Sequence, residues 1–172
     1  MGIYKFALNF EKENREYYEE CASKTKSQKL KKIFNYLAKE EKKHEEIVQK
    51  LADGEMDPYE SDILPKSKEV FQTIANDISE DKNVYETDNL TIYRKAVEME
   101  QESHSFYKEK ANETDNDSEK KVLMSLAKEE RRHEIILDNI LEHLERPQEW
   151  VEHAMFSKME EYWFYNKIKI IS

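Results

Sequence analysis

Two short patterns, each a Glu followed three residues later by a His, interrupt the apolar stripes of two predicted helices. One pattern is Glu41 with His44, and the other is Glu130 with His133. The i, i+3 spacing places both groups on one helical face, where the period calls for core residues. A buried carboxylate is costly unless it is paired or bound to a metal. Because carboxylate and imidazole together suit iron, manganese or zinc, the patterns predict buried metal ligands.

An internal repeat relates the two patterns. Residues 7–51 align without gaps to residues 96–140, and LAKEEKKHEEI is nearly identical to LAKEERRHEII. Of the five histidines, only His44 and His133 have a Glu three residues before them. Since each copy of a repeat is one structural unit, equivalent residues are expected at equivalent places.

Each copy reads as a helical hairpin. Gly and Pro number only 2 and 3, which argues against a sheet-rich domain. We therefore predict an all-α fold, a four-helix bundle of two repeated hairpins joined by a long crossover. The predicted divisions of this single domain, residues 1–172, are a hairpin at about 3–52, a crossover at 53–88 with a short helix at 66–79, a hairpin at about 89–145, and a C-terminal helical segment at 146–172.

The hairpin turns contain predicted helix caps. Thr25, with Gln28 three residues later, predicts a capping box for the second helix. Asp117 or Ser118 is predicted to cap the fourth helix.

Register brings two further glutamates to the same level as the Glu-x-x-His patterns. Glu11 and Glu100 are repeat mates in the Ala-x-x-x-Glu sequences at 7–11 and 96–100. In an antiparallel hairpin, residues equidistant from the turn share a height, here roughly 20 Å from each turn at 1.5 Å per residue. If a pseudo-twofold axis relates the hairpins, six ligands for two metals converge at mid-bundle: Glu11, Glu41, His44, Glu100, Glu130 and His133.

Tyr18 and Tyr107 lie on the faces of Glu11 and Glu100, two turns further along. Two interpretations stay open, namely a hydrogen bond to a ligand carboxylate and core packing with a satisfied hydroxyl group. A less favoured third is electron donation to an oxidised centre. The glutamates beside the ligand patterns are expected on solvated faces: Glu40, Glu45, Glu46, Glu129 and Glu134.

Composition excludes several classes of protein. The formal charge of −10 argues against a nucleic-acid-binding surface. The single cysteine, Cys21, cannot form an internal disulfide or hold an iron–sulfur cluster. The N-terminal residues lack a signal-peptide pattern, and no apolar run approaches membrane-spanning length. We therefore predict a cytoplasmic protein that binds neither nucleic acid nor membrane.

The ligand pattern resembles a known family. A Glu from each of two helices, with Glu-x-x-His from each of the other two, is the di-iron carboxylate pattern of the ferritin-like superfamily. The Ala-x-x-x-Glu sequences, the Phe/Tyr-Tyr pairs and the long crossover most resemble the rubrerythrin-type branch over residues 3–145. The resemblance implies that Glu41 and Glu130 bridge two iron ions and that Glu11 and Glu100 are terminal ligands. Each histidine of the patterns would then bind one ion.

Two departures from that branch bear on the expected function. Rubrerythrins carry a rubredoxin module with four cysteines. Residues 1–172 contain a single cysteine, which cannot form such a module. Rubrerythrins also have a glutamate three residues after the third-helix ligand, where this chain has Ser103, with Asn14 as its repeat mate.

The resemblance implies a di-iron oxidoreductase in which Fe(II) reacts with peroxide or dioxygen, with manganese or zinc as alternative metals. Two functions within this class stay open. One is ferroxidase action in iron handling, and the other is peroxide reduction with electrons from a rubredoxin-like partner. The alternative is a non-enzymatic bundle in which the metal only stabilises the fold. The aromatic C-terminal segment favours a homodimer.

Overall fold

The computed structural model describes residues 3–55 and 87–145, and within these ranges the chain forms four α-helices and no strand. The helices are α1, Ile3–Lys24; α2, Gln28–Ala52; α3, Thr87–Glu113; and α4, Asp117–Glu145. α1 packs against α2 and α3 against α4, which confirms the predicted all-α bundle of two hairpins. The crossover helix predicted at 66–79 and the segment at 146–172 lie outside the described residues. Of the helices described, none has an apolar stretch that could cross a bilayer.

α2 is capped by Ser27, which directly precedes its first residue. The Ser27 side-chain oxygen accepts a hydrogen bond from the backbone N–H of Leu30 at 3.3 Å. The predicted capping box of Thr25 and Gln28 is wrong, because the Thr25 hydroxyl accepts from the backbone N–H of Ser27 instead. The cap position needs an extended backbone next to the helix, and Ser27 has it, with φ −74° and ψ 118°.

α4 begins in the same way, after a polar residue that the sequence prediction passed over. The Asn116 Oδ1 atom accepts hydrogen bonds from the backbone N–H groups of Ser118 and Glu119 at 3.0 and 3.2 Å. Asn116, rather than Asp117 or Ser118, is therefore the cap. Both cap predictions failed because they placed the helix boundary wrongly by one or two residues.

Two apolar clusters fill the two ends of the bundle. The turn-1 cluster lies at the α1–α2 turn and also holds the start of α3 and the end of α4; its members include Tyr18, Leu30, Phe34, Tyr93, Leu137 and Ile140. The turn-2 cluster lies at the α3–α4 turn and also holds the start of α1 and the end of α2; its members include Ala7, Val48, Leu51, Tyr107, Leu123 and Leu126. The two hairpins are therefore antiparallel, with their turns at opposite ends. A pseudo-twofold axis crosses the bundle between the clusters.

Three buried side-chain hydrogen bonds, which we call the α1–α3 ladder, cross from one hairpin to the other. The ladder pairs residues 11, 14 and 18 of α1 with residues 107, 103 and 100 of α3, so these helices run antiparallel. Its bonds are Tyr107 hydroxyl to Glu11 carboxylate, Asn14 amide to Ser103 hydroxyl, and Tyr18 hydroxyl to Glu100 carboxylate. The middle bond joins two repeat mates and therefore lies on the pseudo-twofold axis.

Candidate metal centre

The structure brings the six predicted ligand side chains together between the two apolar clusters. Each of the six is fully buried, with no solvent-exposed surface. α1 and α3 supply one glutamate each, while α2 and α4 supply one Glu-x-x-His pattern each. The α-helical i, i+3 spacing directs the Glu and the His of each pattern to the same interior face.

At the centre are the two Glu-x-x-His patterns. One potential ligand atom from each of Glu41, His44, Glu130 and His133 lies within 4.8 Å of the others. The contacts cross between hairpins: His44 Nδ1 lies 2.7 Å from Glu130 Oε1, and His133 Nδ1 lies 2.9 Å from Glu41 Oε1. The two imidazole rings stack with centroids 5.3 Å apart. Neither hairpin alone can therefore form this cluster.

The two outer glutamates flank the cluster, one beside each histidine. Glu11 Oε2 lies 3.6 Å from His44 Nδ1, and Glu100 Oε2 lies 3.5 Å from His133 Nδ1. The other oxygen of each carboxylate accepts a hydrogen bond from a tyrosine of the opposite hairpin, in the ladder. Each outer glutamate thus has one oxygen held by a phenol and one facing the histidines.

The inward-facing oxygens suit cations. Within the described residues, neither oxygen of Glu41 or Glu130 accepts a hydrogen bond, and the same is true of Glu11 Oε2 and Glu100 Oε2. His133 Nδ1 and Glu41 Oε1 are close in distance but lack the alignment of a hydrogen bond. Leaving a buried carboxylate oxygen unsatisfied costs about 1–3 kcal/mol or more. Four carboxylates and two imidazoles would satisfy these atoms by holding a pair of divalent cations.

Without a cation, the cluster retains protons. Burial raises the pKa of Glu11 to about 7, in spite of nearby His44. Burial and the charge of Glu41 hold the pKa of Glu130 well above its ordinary value. Burial alone would raise the pKa of Glu41, but the adjacent His133 and His44 hold it below its ordinary value. Burial opposes protonation of both histidines, but the carboxylates around them raise both pKa values. Cation binding must therefore release protons.

Three glutamates beside the ligands correct the sequence prediction of solvated faces. Glu40, Glu129 and Glu134 are only 2%, 1% and 6% exposed. Lys43 Nζ lies 2.6 Å from Glu40, and Arg132 pairs with Glu129 in the equivalent contact. These basic side chains, three residues after the glutamates, lie over the carboxylates and shield them from water. The repeated Glu-x-x-Lys/Arg spacing was the sequence signal for these pairs. Of the other two glutamates, Glu46 is exposed and Glu45 is partly buried.

Asn14 and Ser103 are a feature that the ligand pattern did not reveal. Ser103 stands where rubrerythrins have a glutamate, and the structure pairs its hydroxyl with the amide of Asn14 in a buried hydrogen bond of 3.0 Å. The available signal was their shared position in the repeat, three residues after each outer glutamate.

Comparison with models of protein families shows to which family the chain belongs. A family model described as rubrerythrin matches residues 3–141. No curated protein and no solved structure that was searched matches the chain. The matched range covers α1 to α3, most of α4 and all six residues of the cluster. The chain therefore belongs to the rubrerythrin family, within the ferritin-like superfamily of di-iron proteins.

Proposed function

We propose that the protein is a di-iron carboxylate oxidoreductase in which Fe(II) reacts with peroxide or dioxygen. The observation that carries the proposal is the set of buried carboxylate oxygens that face the histidines and accept no hydrogen bond from described residues. Such a set is costly to bury without cations, and the family is one of di-iron proteins.

The contacts support bridging roles for Glu41 and Glu130. Glu41 has one oxygen 2.9 Å from His133 and the other 3.7 Å from His44. Glu130 has one oxygen 2.7 Å from His44 and the other 3.9 Å from His133. Each of these carboxylates therefore spans the two histidines, as a ligand shared by two ions would.

The contacts support terminal roles for Glu11 and Glu100. Each has one oxygen near a single histidine, His44 for Glu11 and His133 for Glu100. In this assignment the metal-binding atom of each imidazole is Nδ1, the ring atom that faces the carboxylates. Each ion would then have one terminal glutamate, one histidine and a share of both bridging glutamates.

A bound pair of ferrous ions supplies two electrons, one per ion, which with two protons reduce hydrogen peroxide to two water molecules. The hydroxyl groups of Tyr18 and Tyr107 hold the two outer carboxylates in place by hydrogen bonds. Burial, and then the charge of the nearest carboxylate, keep the pKa values of Tyr18 and Tyr107 well above their ordinary value. Both phenols therefore stay protonated at neutral pH and continue to donate to the outer glutamates. The two apolar clusters exclude water from above and below.

The test is anaerobic loading with Fe(II), metal analysis, and addition of one equivalent of peroxide. We expect two iron ions per chain, loss of the ferrous signal and growth of a ferric absorption band. Glu46→Gln is a matched control, because Glu46 is an exposed α2 glutamate near the patterns. Absence of iron oxidation, with stability restored equally by any divalent cation, would instead support a non-enzymatic bundle and contradict the proposal.

Two further measurements distinguish peroxide reduction from ferroxidase action. Repeated peroxide turnover with an external reductant, such as a rubredoxin-like electron donor, supports peroxide reduction. Oxidation of added Fe(II) in proportion to protein, with the ferric product retained, supports ferroxidase action. The predicted homodimer belongs to the same proposal and is checked by sedimentation.

A further inference from the structure

The middle bond of the α1–α3 ladder lies at the level of the metal centre. The outer two bonds hold Glu11 and Glu100, and the bond of Asn14 to Ser103 lies between them. Asn14 and Ser103 are each one helical turn from an outer glutamate, on the same buried face. The pseudo-twofold axis that relates the two halves of the centre passes through this bond. It therefore lies at equal distance from both proposed ions.

The protein supplies different groups on the two sides of the centre. Both histidines and both bridging glutamates come from α2 and α4. On the α1–α3 side, the two outer glutamates stand above and below the axis, and a neutral amide and a hydroxyl occupy the position between them. A small ligand shared by the two ions would therefore bind on the α1–α3 side, next to Asn14.

The Asn14 amide has a fixed orientation. Ser103 donates its hydroxyl hydrogen to the backbone carbonyl of Met99 at 3.1 Å, so its oxygen must accept from Asn14. This fixes Nδ2, rather than Oδ1, as the atom that faces Ser103. An amide nitrogen carries two hydrogens, and the described residues use one of them, in the bond to Ser103. Within residues 3–55 and 87–145, the other hydrogen is available to an acceptor.

The geometry points to Asn14 as the hydrogen-bond donor to a small oxygen ligand, peroxide or dioxygen, bound between the two metal ions. Ser103 is the positioning residue, because it fixes the amide. Asn14 is 1% exposed, and a donor in so dry a site interacts strongly with a ligand that carries negative charge. This inference rests on the proposed function and adds to it the residue that recognises the substrate.

The test uses azide, a small anion, as a probe of the ferric protein. Asn14→Leu keeps the branched shape of the side chain and removes its hydrogen-bond donor. We expect two iron ions per chain to remain and the azide dissociation constant to rise about tenfold, as for one lost hydrogen bond to a charged group. The antisymmetric stretching frequency of bound azide should shift in the infrared spectrum. Ser103→Ala should weaken azide binding less, because the amide loses its positioning partner and keeps its hydrogens.

Asn139→Ala is the matched control. Asn139 is also a buried asparagine, 3% exposed, but it donates to the backbone of its own helix, at Ile135. Azide binding by this variant should equal that of the wild type. Asn14→Ser, which keeps a donor, should recover part of the lost affinity.

Two results would overturn the role of Asn14 and leave the proposed function standing. The first is an unchanged azide affinity and stretching frequency in Asn14→Leu with its iron intact. The second is loss of iron from both Asn14→Leu and Asn14→Ala, which would make Asn14 a structural tie between hairpins. A wild-type protein that binds no iron pair would reject the proposed function itself, and the inference with it.

Discussion

The centre of the bundle and its two ends follow the internal repeat to different degrees. At the centre, repeat mates make the same contacts, since Tyr18 bonds to Glu100 as Tyr107 bonds to Glu11. At the ends, some mates differ in type: Leu30 is fully buried in the turn-1 cluster, and its mate at the other end is Glu119. A site with two equivalent ions constrains both halves alike, whereas an apolar core can be built from many side chains.

One pair of identical mates shows how far the ends have diverged. Tyr93 is fully buried in the turn-1 cluster, and its hydroxyl has no hydrogen-bond partner within the described ranges. Its mate Tyr4 donates a hydrogen bond to Glu119 at the other end. Burial and then Glu119 raise the pKa of Tyr4 to about 12. At one end the tyrosine contributes only its buried ring to packing within the described residues, whereas at the other end the tyrosine hydroxyl donates a hydrogen bond between helices.

The largest expected effect is loss of the metal pair on removing either of the glutamates proposed to bridge the two ions. Glu41→Ala and Glu130→Ala should each abolish tight binding of both ions, because each carboxylate spans the two histidines. Metal analysis after dialysis measures this, with Glu46→Ala as the exposed control. Two ions per chain in either variant would refute the symmetric assignment.

The next expected effect is a pH dependence of the stability of the metal-free fold, which arises from the titrating groups at the centre of the bundle. The pKa of the Glu11 carboxyl is about 7 in the metal-free fold and about 4.5 in the unfolded chain. Glu11 therefore stabilises the metal-free fold fully below about pH 4.5, and this stabilisation is lost as pH rises through about 7. The histidines act in the same direction. The lowered pKa of Glu41 acts oppositely, with its stabilisation lost as pH falls. As pH rises from about 5.5 to about 8, the metal-free fold therefore loses the stabilisation from Glu11, and fewer protons compete with metal.

The increase in unfolding temperature on adding Zn(II), which is not oxidised, should therefore grow from about pH 5.5 to about pH 8. Thermal denaturation by circular dichroism measures it. A shift that shrinks as pH rises would show that the buried cluster does not hold the protons assigned to it.

A smaller effect tests the symmetry of the centre directly. Tyr18→Phe and Tyr107→Phe each free one oxygen of an outer glutamate and should weaken metal binding about tenfold, the lower end of the usual range for such partners. Competition with a chelator gives the affinity. Effects that differ greatly between the two variants would show that the halves of the centre are not equivalent.

The smallest effect distinguishes the two ends. Tyr4→Phe removes a hydrogen bond and should destabilise the protein by about 1 kcal/mol. Tyr93→Phe removes a buried hydroxyl with no partner in the described residues and should be neutral or stabilising by up to about 1 kcal/mol. Urea denaturation of both variants measures the difference. Equal losses of stability would remove the distinction between the ends.

The sequence allowed the prediction of the hairpins and of the residues that meet at mid-bundle. Helical spacing puts Glu41 with His44, and equal distance from the turn puts Glu11 at their level. The burial of Glu40 was missed although its partner Lys43 is three residues along the same helix, because Glu-x-x-Lys spacing is also common on solvated helix faces and does not by itself show burial. Nor did the sequence reveal the bond of Asn14 to Ser103, which depends on where the pseudo-twofold axis crosses the bundle.

The pseudo-twofold axis has a consequence for how the centre assembles. Each hairpin carries three of the six proposed ligands, so two separate hairpins would need to associate before either ion could be held. One chain contains both, which turns that association into an intramolecular step with a high effective concentration. Dilution therefore cannot separate the halves, and the metal affinity of the chain should not depend on protein concentration.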